Sequence, residues 1–265
     1  MAPERAAPPM RLSPRHPRFE SLRVRARLAR SARQGLVVPE GLIAQGRGEA
    51  FDYLLGERTT PSARRAERVA ADWLRAARHP VLSVNGNVAA LAAREVARIV
   101  RAAPSVRVEV NLFHRTPARA RLVARALVRA GVPDVLGVRP TATIPGLPSD
   151  RALVDRRGIF VADVCLVPLE DGDRAEALRA RGQKVISVDL NPLSRTSRTA
   201  DLPIVDEVAR ALRHIAEDLE RGAPRRSRSR PRPFDAAAAR AAALRTIGRE
   251  LTRAAGRSRS APRRR

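Results

Sequence analysis

Short apolar runs alternate with amphipathic segments along the chain, and this alternation predicts its secondary structure. In the second half, the runs at 163–169, 184–190 and 202–205 are rich in Val, Ile and Leu. Such runs are typical of strands buried on both faces, as in a parallel sheet covered by helices. Between the first two runs, residues 174–181 predict a helix that ends at Gly182. The pattern therefore indicates an α/β fold.

Two further strand–helix units precede this stretch. A strand over 79–87 ends in an Asn-Gly-Asn turn before a helix over 88–102, and a strand over 106–113 precedes a helix over 118–130. A Thr-Pro pair just before the second of these helices is typical of a helix start. Other predicted elements are a short strand at 135–138, helices at 17–35, 61–77 and 205–219, and an Ala-rich helix at 234–255. The sequence does not indicate where this last helix packs.

Polar residues collect where the predicted strands end. In open parallel sheets, ligands bind beyond the carboxyl ends of the strands. Here those ends carry the segments LEDGD at 169–173 and DLNPLSRT at 189–196, and upstream Asn85, Asn87 and Arg115. Carboxylates, amides, hydroxyls and arginines together suit an anionic substrate and a nucleotide, with Mg²⁺ between them. This edge of the sheet is the predicted active site.

Each candidate residue also has a simpler interpretation. Asp189 resembles the acid that holds a ribose hydroxyl in nucleotide sites, but an Asp that caps the following turn is as common. Asn85 could hydrogen-bond a substrate or serve only in the turn, and Arg115 could bind phosphate or lie on the surface. Glycines flank Arg47 in a predicted loop at 44–49, where its guanidinium offers either an anion-binding fork or an exposed turn.

The net charge of +25 suggests nucleic-acid binding, but the charge is unevenly distributed. Residues 41–220 carry 28 basic against 22 acidic side chains, whereas residues 221–265 carry 15 arginines against two acids. The 51 arginines outnumber lysine so strongly that codon bias explains them better than selection for phosphate contacts. The alternative function is a nucleic-acid-binding protein that uses its basic ends, and its binding would be lost on deleting 221–265.

Composition also sets the expected organisation of the chain. Residues 1–15 are expected to be disordered, 16–220 to form one domain, and 221–265 to form an Arg-rich linker, a possible helix and a disordered basic tail. The lone Cys165 lies in a predicted strand, so a buried thiol and a cytoplasmic protein are expected. No apolar run is long enough to span a membrane. P-loop, H-E-x-x-H, C-x-x-C and G-x-G-x-x-G motifs are absent.

Five segments carry a resemblance to a known family: GLIAQGRGEAFDYLLGERT, HPVLSVNGNVAAL, VEVNLFHRT, ADVCLVPLEDGDRAEAL and KVISVDLNPLSRTSRTADLPIVDEV. From about residue 16 to 219, the chain resembles archaeal phosphopantothenate synthetases (4-phosphopantoate–β-alanine ligases). The resemblance implies a homodimer with a Rossmann-like core. It also implies a ligase of coenzyme A biosynthesis that uses ATP and Mg²⁺. Such a ligase forms an acyl-adenylate from 4-phosphopantoate and then transfers the acyl group to β-alanine, with release of AMP. Such a ligase is expected to keep its activity after deletion of 221–265, and nucleic acid would bind only non-specifically to that tail.

The resemblance also implies which residues contact the substrates. The ATP contacts would be Arg25, Arg47, Asp189, Leu190, Asn191, Arg195, Thr196, Glu207 and Val208. We expect Asn85 and Arg115 to hold 4-phosphopantoate. Two residues depart from the family pattern: Gln45 stands where His is expected, and His114 stands where Tyr is expected.

Overall fold

A computed structural model describes residues 13–16, 18–222 and 233–260, with side chains as far as residue 256. The expectation of disorder at the two ends falls largely on residues outside these ranges. Residues 1–12 and 261–265, and the linker residues 223–232, are not described by the structure.

A six-stranded parallel sheet forms the centre of the molecule. Its strands lie in the order β3-β2-β1-β6-β7-β8, and every neighbouring pair is parallel. The order therefore reverses direction between β1 and β6, as in a doubly wound Rossmann sheet. The predicted Rossmann-like α/β fold is confirmed. The sheet strands are β1 (Pro80–Val84), β2 (Arg107–Val110), β3 (Val135–Leu136), β6 (Val164–Pro168), β7 (Lys184–Val188) and β8 (Leu202–Ile204), and β4 (Ala142–Thr143) pairs antiparallel with β5 (Leu153–Val154).

Helices cover both faces of the sheet, so the central strands β1, β6 and β7 supply side chains to two cores. In β1, Leu82 and Val84 join the core under α1, α3, α4, α5 and α8, whereas Val81 joins a second core under α6. This division explains why the strand sequences are apolar at consecutive positions. The helices are α1 (Phe19–Arg33), α2 (Pro39–Leu55), α3 (Pro61–Ala76), α4 (Gly86–Ala102), α5 (Pro117–Arg129), α6 (Gly172–Ala180), α7 (Arg195–Thr199), α8 (Val208–Glu220) and α9 (Ala236–Ser260).

Side-chain caps set several helix starts where the sequence predicts them. The Thr60 hydroxyl accepts a hydrogen bond from the Ala63 N–H, and the Thr116 hydroxyl accepts one from the Arg119 N–H. A proline occupies the first helical position in both cases, where its missing N–H costs nothing. The free thiol of Cys165 is buried, as expected.

The predicted loop over 44–49 is wrong, because these residues lie inside the continuous helix α2. Gly41, at the start of this helix, permits close packing. A Cβ on Gly41 would lie 2.4 Å from Asn87 Oδ1, and the Asn87 amide donates to the Gly41 carbonyl at 2.7 Å. The helix ends at Gly56, whose φ of 83° is left-handed. Gly46 and Gly48, which flank Arg47, have neither role: a Cβ on Gly46 would meet nothing within 4 Å, and one on Gly48 would make an ordinary contact with Leu190.

The Ala-rich segment forms α9, which packs against α2, α3, α7 and β8. Ala243 of this helix is fully buried beside Leu55, Leu190 and Val205. Deleting 221–265 would remove the packing behind Leu190, so we no longer expect such a truncation to keep activity. None of the described helices is long and apolar enough to cross a membrane.

Substitutions in α9 test whether this helix is part of the folded body. Ala243→Leu inserts three carbon atoms at a position with no exposed surface, and we expect a loss of about 1–3 kcal/mol in the free energy of unfolding. The matched control Ala237→Leu lies on the exposed side of α9 and should change stability by less than about 0.5 kcal/mol. Urea unfolding measures both, and equal stabilities would mean that α9 does not dock.

Candidate active site

Two adjoining cavities open at the carboxyl edge of the sheet, on either side of the point where the strand order reverses. The first cavity, of about 360 Å³, lies beyond β6, β7 and β8. The second cavity, of about 380 Å³, lies beyond β1 and β2. Both are lined by Ala44, Arg47, Leu169 and Asp171, so these residues form their junction. Ligands of doubly wound sheets bind at this reversal point.

Most of the predicted nucleotide contacts line the first cavity. They are Arg47, Asp189, Leu190, Asn191, Arg195, Thr196, Glu207 and Val208. Arg25 lies outside both cavities, where its guanidinium donates to both carboxylate oxygens of Glu49 at 2.8 to 3.1 Å. The structure therefore brings eight of these nine residues together, and Arg25 as a nucleotide contact stays a prediction.

The loop after β7 is rigid because its side chains hydrogen-bond its own backbone. Asp189 Oδ1 accepts from the Asn191 N–H at 2.9 Å, and Asn191 Oδ1 accepts from the Leu193 N–H at 2.9 Å. Burial raises the pKa of Asp189, while Ser194, the Asn191 N–H and Arg47 act in the opposite direction. Asp189 thus does cap its turn, yet it also faces the cavity. The two interpretations of this residue are compatible.

Arg195 lines the first cavity but is held by two carboxylates beside it. Its Nε and one terminal nitrogen contact Glu176 at 2.8 and 2.6 Å, and the other terminal nitrogen contacts Asp173 at 2.5 Å. The side chain passes so close to Gly172 that a Cβ there would lie 2.4 Å from Arg195 Cγ. The next residue, Thr196, donates its hydroxyl to the Glu170 carbonyl at 2.6 Å.

The start of α8 forms the far wall of the first cavity. Glu207 Oε2 accepts from the N–H groups of Ala209 at 2.8 Å and Arg210 at 3.0 Å, so the carboxylate caps the helix. Burial raises the pKa of Glu207, and these backbone donors oppose the rise. The cap occupies Oε2 only, and Oε1 is buried without a protein partner, so Oε1 and the backbone of Glu207 and Val208 remain to contact a ligand.

Asn85 joins the two halves of the sheet in the second cavity. Its carbonyl oxygen accepts from the Val88 N–H at 3.1 Å and so caps α4. Its amide donates to the carbonyls of Pro168 at 3.1 Å and Leu169 at 3.0 Å, across the reversal point between β1 and β6. The φ of Asn85 is −103°, so its backbone is extended at the start of α4. Asn85 therefore lines the second cavity and also fixes the turn after β6 relative to the start of α4.

The second cavity contains arginines, but the predicted Arg115 is not among them. One Arg115 nitrogen donates to the carbonyls of Gly137 at 2.6 Å and Val138 at 3.0 Å, which draws the side chain toward the β3 edge. Arg119 and Arg151 line the cavity instead. Arg119, which was not among the residues predicted from the sequence, lies four residues after Arg115 in the first turn of α5, and its terminal nitrogens donate to the carbonyls of His114 at 2.5 Å and Leu36 at 3.4 Å. Arg151 lies in the long connection after β4, where no pattern indicated it.

A buried carboxylate lies beneath the junction of the cavities. Glu170 is in ionic contact with Arg151 Nε at 3.2 Å and with a terminal nitrogen of Arg174. The Arg174 side chain has no exposed surface and also donates to the Ser83 hydroxyl at 3.1 Å. Leu169, directly before Glu170, has a left-handed φ of 52°, a conformation that is costly for a branched side chain. Ion pairs and the Asn85 amide hold this strained turn in place.

One group of potential metal ligands adjoins the first cavity, considering only the residues that the structure describes. Potential ligand atoms of Glu67, Asp206 and His214 lie within 4.8 Å of one another. Asp206 Oδ2 already accepts from the Thr59 hydroxyl at 2.5 Å, and Oδ1 is in contact with Arg210 at 2.7 Å. Burial, followed by Asp206, raises the pKa of Glu67. The cluster includes an imidazole, and Asp206 is already bound by Thr59 and Arg210, so the cluster does not suit Mg²⁺, which prefers charged oxygen ligands and water.

The fold and the site together define a class of protein. It is a doubly wound α/β protein with two arginine-bearing cavities at the tips of its parallel strands, where ligands of such folds bind.

Comparisons with known proteins narrow this class to one family. A family model described as phosphopantothenate/pantothenate synthetase matches residues 62–250. A relative named 4-phosphopantoate–β-alanine ligase from Methanospirillum hungatei JF-1 is 56% identical over 201 residues, which cover 76% of this chain and 82% of the relative. Relatives of the same name from Methanosarcina mazei and Thermococcus kodakarensis are 53% and 50% identical, over 76% of this chain and 79% and 77% of their own. The chain belongs to the phosphopantothenate/pantothenate synthetase family, and the resemblance seen in its sequence is confirmed.

Removing the buried arginine tests whether Glu170 anchors the site. Arg174→Met leaves a buried carboxylate with one partner fewer, and we expect the free energy of unfolding to fall by about 3–5 kcal/mol. Arg179→Met on the same helix is the matched control, since Arg179 is half-exposed and pairs with Asp201 at 3.3 Å. Its loss should cost about 0–1 kcal/mol in urea unfolding. Similar losses in both variants would contradict the anchoring role.

Proposed function

We propose that the chain is an ATP-dependent ligase that joins 4-phosphopantoate to β-alanine and forms 4′-phosphopantothenate, a step of coenzyme A biosynthesis. The curated relatives carry this activity in their names. The observation that carries the proposal is the pair of arginine-bearing cavities that meet at Arg47 and Asp171. A ligase of this kind must hold two anions close enough to react, and two adjoining cationic cavities suit that task.

ATP is assigned to the first cavity. Leu190 and the backbone of Glu207 and Val208 would contact the adenine, and Asp189 would accept a ribose hydroxyl. The triphosphate would extend toward Arg47, with Asn191 and Thr196 as further contacts. Arg195 would exchange its two carboxylate partners for phosphate oxygens. Its exposed position makes such an exchange inexpensive, because ion pairs at the surface contribute little.

4-Phosphopantoate is assigned to the second cavity. The N-terminus of α4 lies there, and N–H groups at helix N-termini bind phosphate. Arg119 and Arg151 add positive charge, and Arg119 has a buried Nε without a protein partner. Asn85 keeps its proposed role in positioning the substrate, whereas Arg119 replaces Arg115 as the proposed phosphate contact. The carboxylate end of the substrate would then reach the junction.

The proposed reaction takes place at this junction in two steps. A carboxylate oxygen of 4-phosphopantoate attacks the α-phosphorus of ATP, and diphosphate leaves with the electron pair of the broken P–O bond. The amine of β-alanine then attacks the carbonyl carbon of the adenylate, and AMP leaves. Arg47 borders both cavities and would offset the repulsion between the two anions. Holding reactants in this way can lower a barrier by about 7–11 kcal/mol.

Several finer features rest on the resemblance and stay proposals. Mg²⁺ is expected to accompany ATP, but the Glu67 cluster does not fit it, and no step is derived through the ion. A homodimer is proposed from the resemblance alone. A cytoplasmic location is proposed as well, and nucleic acid would bind only non-specifically to the basic end.

A direct assay tests the proposed reaction. The full-length protein should convert ATP, 4-phosphopantoate and β-alanine, with Mg²⁺ present, to AMP, diphosphate and 4′-phosphopantothenate in equal amounts. Omission of either 4-phosphopantoate or β-alanine should abolish the formation of 4′-phosphopantothenate. Formation of ADP and phosphate, or turnover without 4-phosphopantoate, would contradict the proposal.

Arg115 and Arg119, which lie four residues apart, provide a matched pair of variants that tests the assignment of 4-phosphopantoate to the second cavity. Arg119→Gln removes positive charge from the second cavity, so the KM for 4-phosphopantoate should rise about tenfold or more, equivalent to roughly 1.4 kcal/mol of binding. Arg115→Gln should leave that KM nearly unchanged, because the guanidinium serves the backbone near Val138. Steady-state kinetics with saturating ATP measures both. A larger effect of Arg115 than of Arg119 would restore the assignment made from the sequence.

A further inference from the structure

We propose that Asp171 is the residue that receives the ammonium group of β-alanine and takes its first proton. This inference rests on the ligase function proposed above and deepens it, because it assigns the amine substrate to a residue. Asp171 lines both cavities at their junction, which is where the acyl-adenylate carbonyl would lie. The attacking amine must reach that carbon, so its acceptor must lie at the same junction.

The Asp171 carboxylate is unusually available. Asp171 is the N-cap residue of α6, yet its side chain makes no capping hydrogen bond. An Asp at this position ordinarily accepts from the helix backbone. Here the carboxylate has one loose ionic contact, with Arg151 Nε at 3.7 Å, and its side chain is 51% exposed. It is therefore directed toward the junction and free to accept a new donor.

Most of the other carboxylates around the site have closer partners or border one cavity only. Glu170 is buried between Arg151 and Arg174, and Asp189 accepts the N–H of Asn191. Further along the wall, the acidic residues after β8 are bound by Thr59, Arg210 and the N-terminus of α8. Glu40 faces only the second cavity and lies near His114. Among the described residues, Asp171 is the carboxylate that borders both cavities.

The step balances without any further reactant. The ammonium group gives one proton to Asp171 and becomes a neutral amine, whose lone pair forms the C–N bond at the adenylate carbonyl. The C–O bond to phosphate then breaks, and AMP leaves with its electron pair. The nitrogen loses its second proton to AMP or to water as the amide forms. A carboxylate that first binds the ammonium also recruits β-alanine to the junction.

The surroundings of Asp171 favour proton uptake. Although half of its side chain is exposed, the partial burial of Asp171 raises its pKa; Arg151 opposes the rise, Glu170 and Asp173 add to it, and Arg174 opposes it. The net direction is upward, which makes the carboxylate a better proton acceptor than an ordinary Asp. Arg47 also borders the junction, and bound ATP would add negative charge there.

Two half-reactions separate this role from a structural one. Asp171→Asn keeps the shape but removes the charge and the proton acceptor, so kcat/KM for β-alanine should fall about 10²- to 10⁴-fold. Exchange of labelled diphosphate into ATP, dependent on 4-phosphopantoate, should continue at close to the wild-type rate. Hydroxylamine is a neutral nucleophile near pH 7, so the variant should still form the hydroxamate from the adenylate. Raising the pH, which supplies free β-alanine amine, should recover part of the lost rate.

Asp134→Asn is the control, since Asp134 also lies loosely beside an arginine, Arg107 at 3.9 Å, but far from both cavities. It should match the wild type in every assay. Loss of diphosphate exchange or of hydroxamate formation in Asp171→Asn would overturn the inference, as would unchanged kinetics for β-alanine. Absence of exchange in the wild-type protein would instead reject the ligase function itself, so the two failures are distinguishable.

Discussion

The buried ion pairs of Glu170 hold together the part of the molecule on which both cavities depend. One carboxylate joins the end of β6 to Arg151 from the long connection and to Arg174 from α6. The Glu170 carbonyl accepts the Thr196 hydroxyl, which attaches α7 to the same turn. A buried charge is costly unless it is paired, so these groups cannot separate without a large loss of stability. The junction is rigid for this reason, and a rigid junction is what two mutually repelling substrates require.

Positive charge is distributed according to this task. The junction carries Arg47, and Arg119 and Arg195 lie in the two cavities on either side of it. Beneath the turn, the single Glu170 carboxylate pairs with both Arg151 and Arg174, so Arg174 stabilises the fold while Arg151 still adds positive charge to the second cavity. Arg195 is paired with exposed acids and can be released at little cost. Buried pairs therefore give structure, and exposed pairs leave arginines that can bind an anion.

Much of the fold followed from the sequence because its signals are local. Continuous apolar runs predicted the strands, and Thr-Pro pairs predicted helix starts that the structure confirms. The glycines around Arg47 predicted a loop that does not exist, because Gly46 and Gly48 lie inside α2. The nearby Gly41 is the glycine that lets α2 approach Asn87 closely. A glycine that permits close packing and one that permits a turn look the same in sequence.

The candidate site was predictable as an edge but not in all its members. Strand tips can be located from sequence, and the tips of β7 and β8 supplied residues that do share one cavity. Whether Arg115 or Arg119 faces the second cavity depends on tertiary structure, because the carbonyls at the β3 edge bind the Arg115 guanidinium. Arg151 could not be predicted, because its partner Glu170 is distant along the chain. Arg174 lies only four residues after Glu170, but nothing local to that pair indicates that it is buried. The Asp171 carboxylate is likewise available to a substrate because it does not cap α6, which the sequence does not show.

The central claim is that the junction brings the carboxylate of 4-phosphopantoate to the α-phosphorus of ATP. Turnover of 4-phosphopantoate labelled with ¹⁸O in its carboxylate tests this most directly. Mass spectrometry of the products should find one labelled oxygen in AMP and none in diphosphate. Unlabelled AMP, with the label in diphosphate or in inorganic phosphate, would show attack at another phosphorus and would contradict the account.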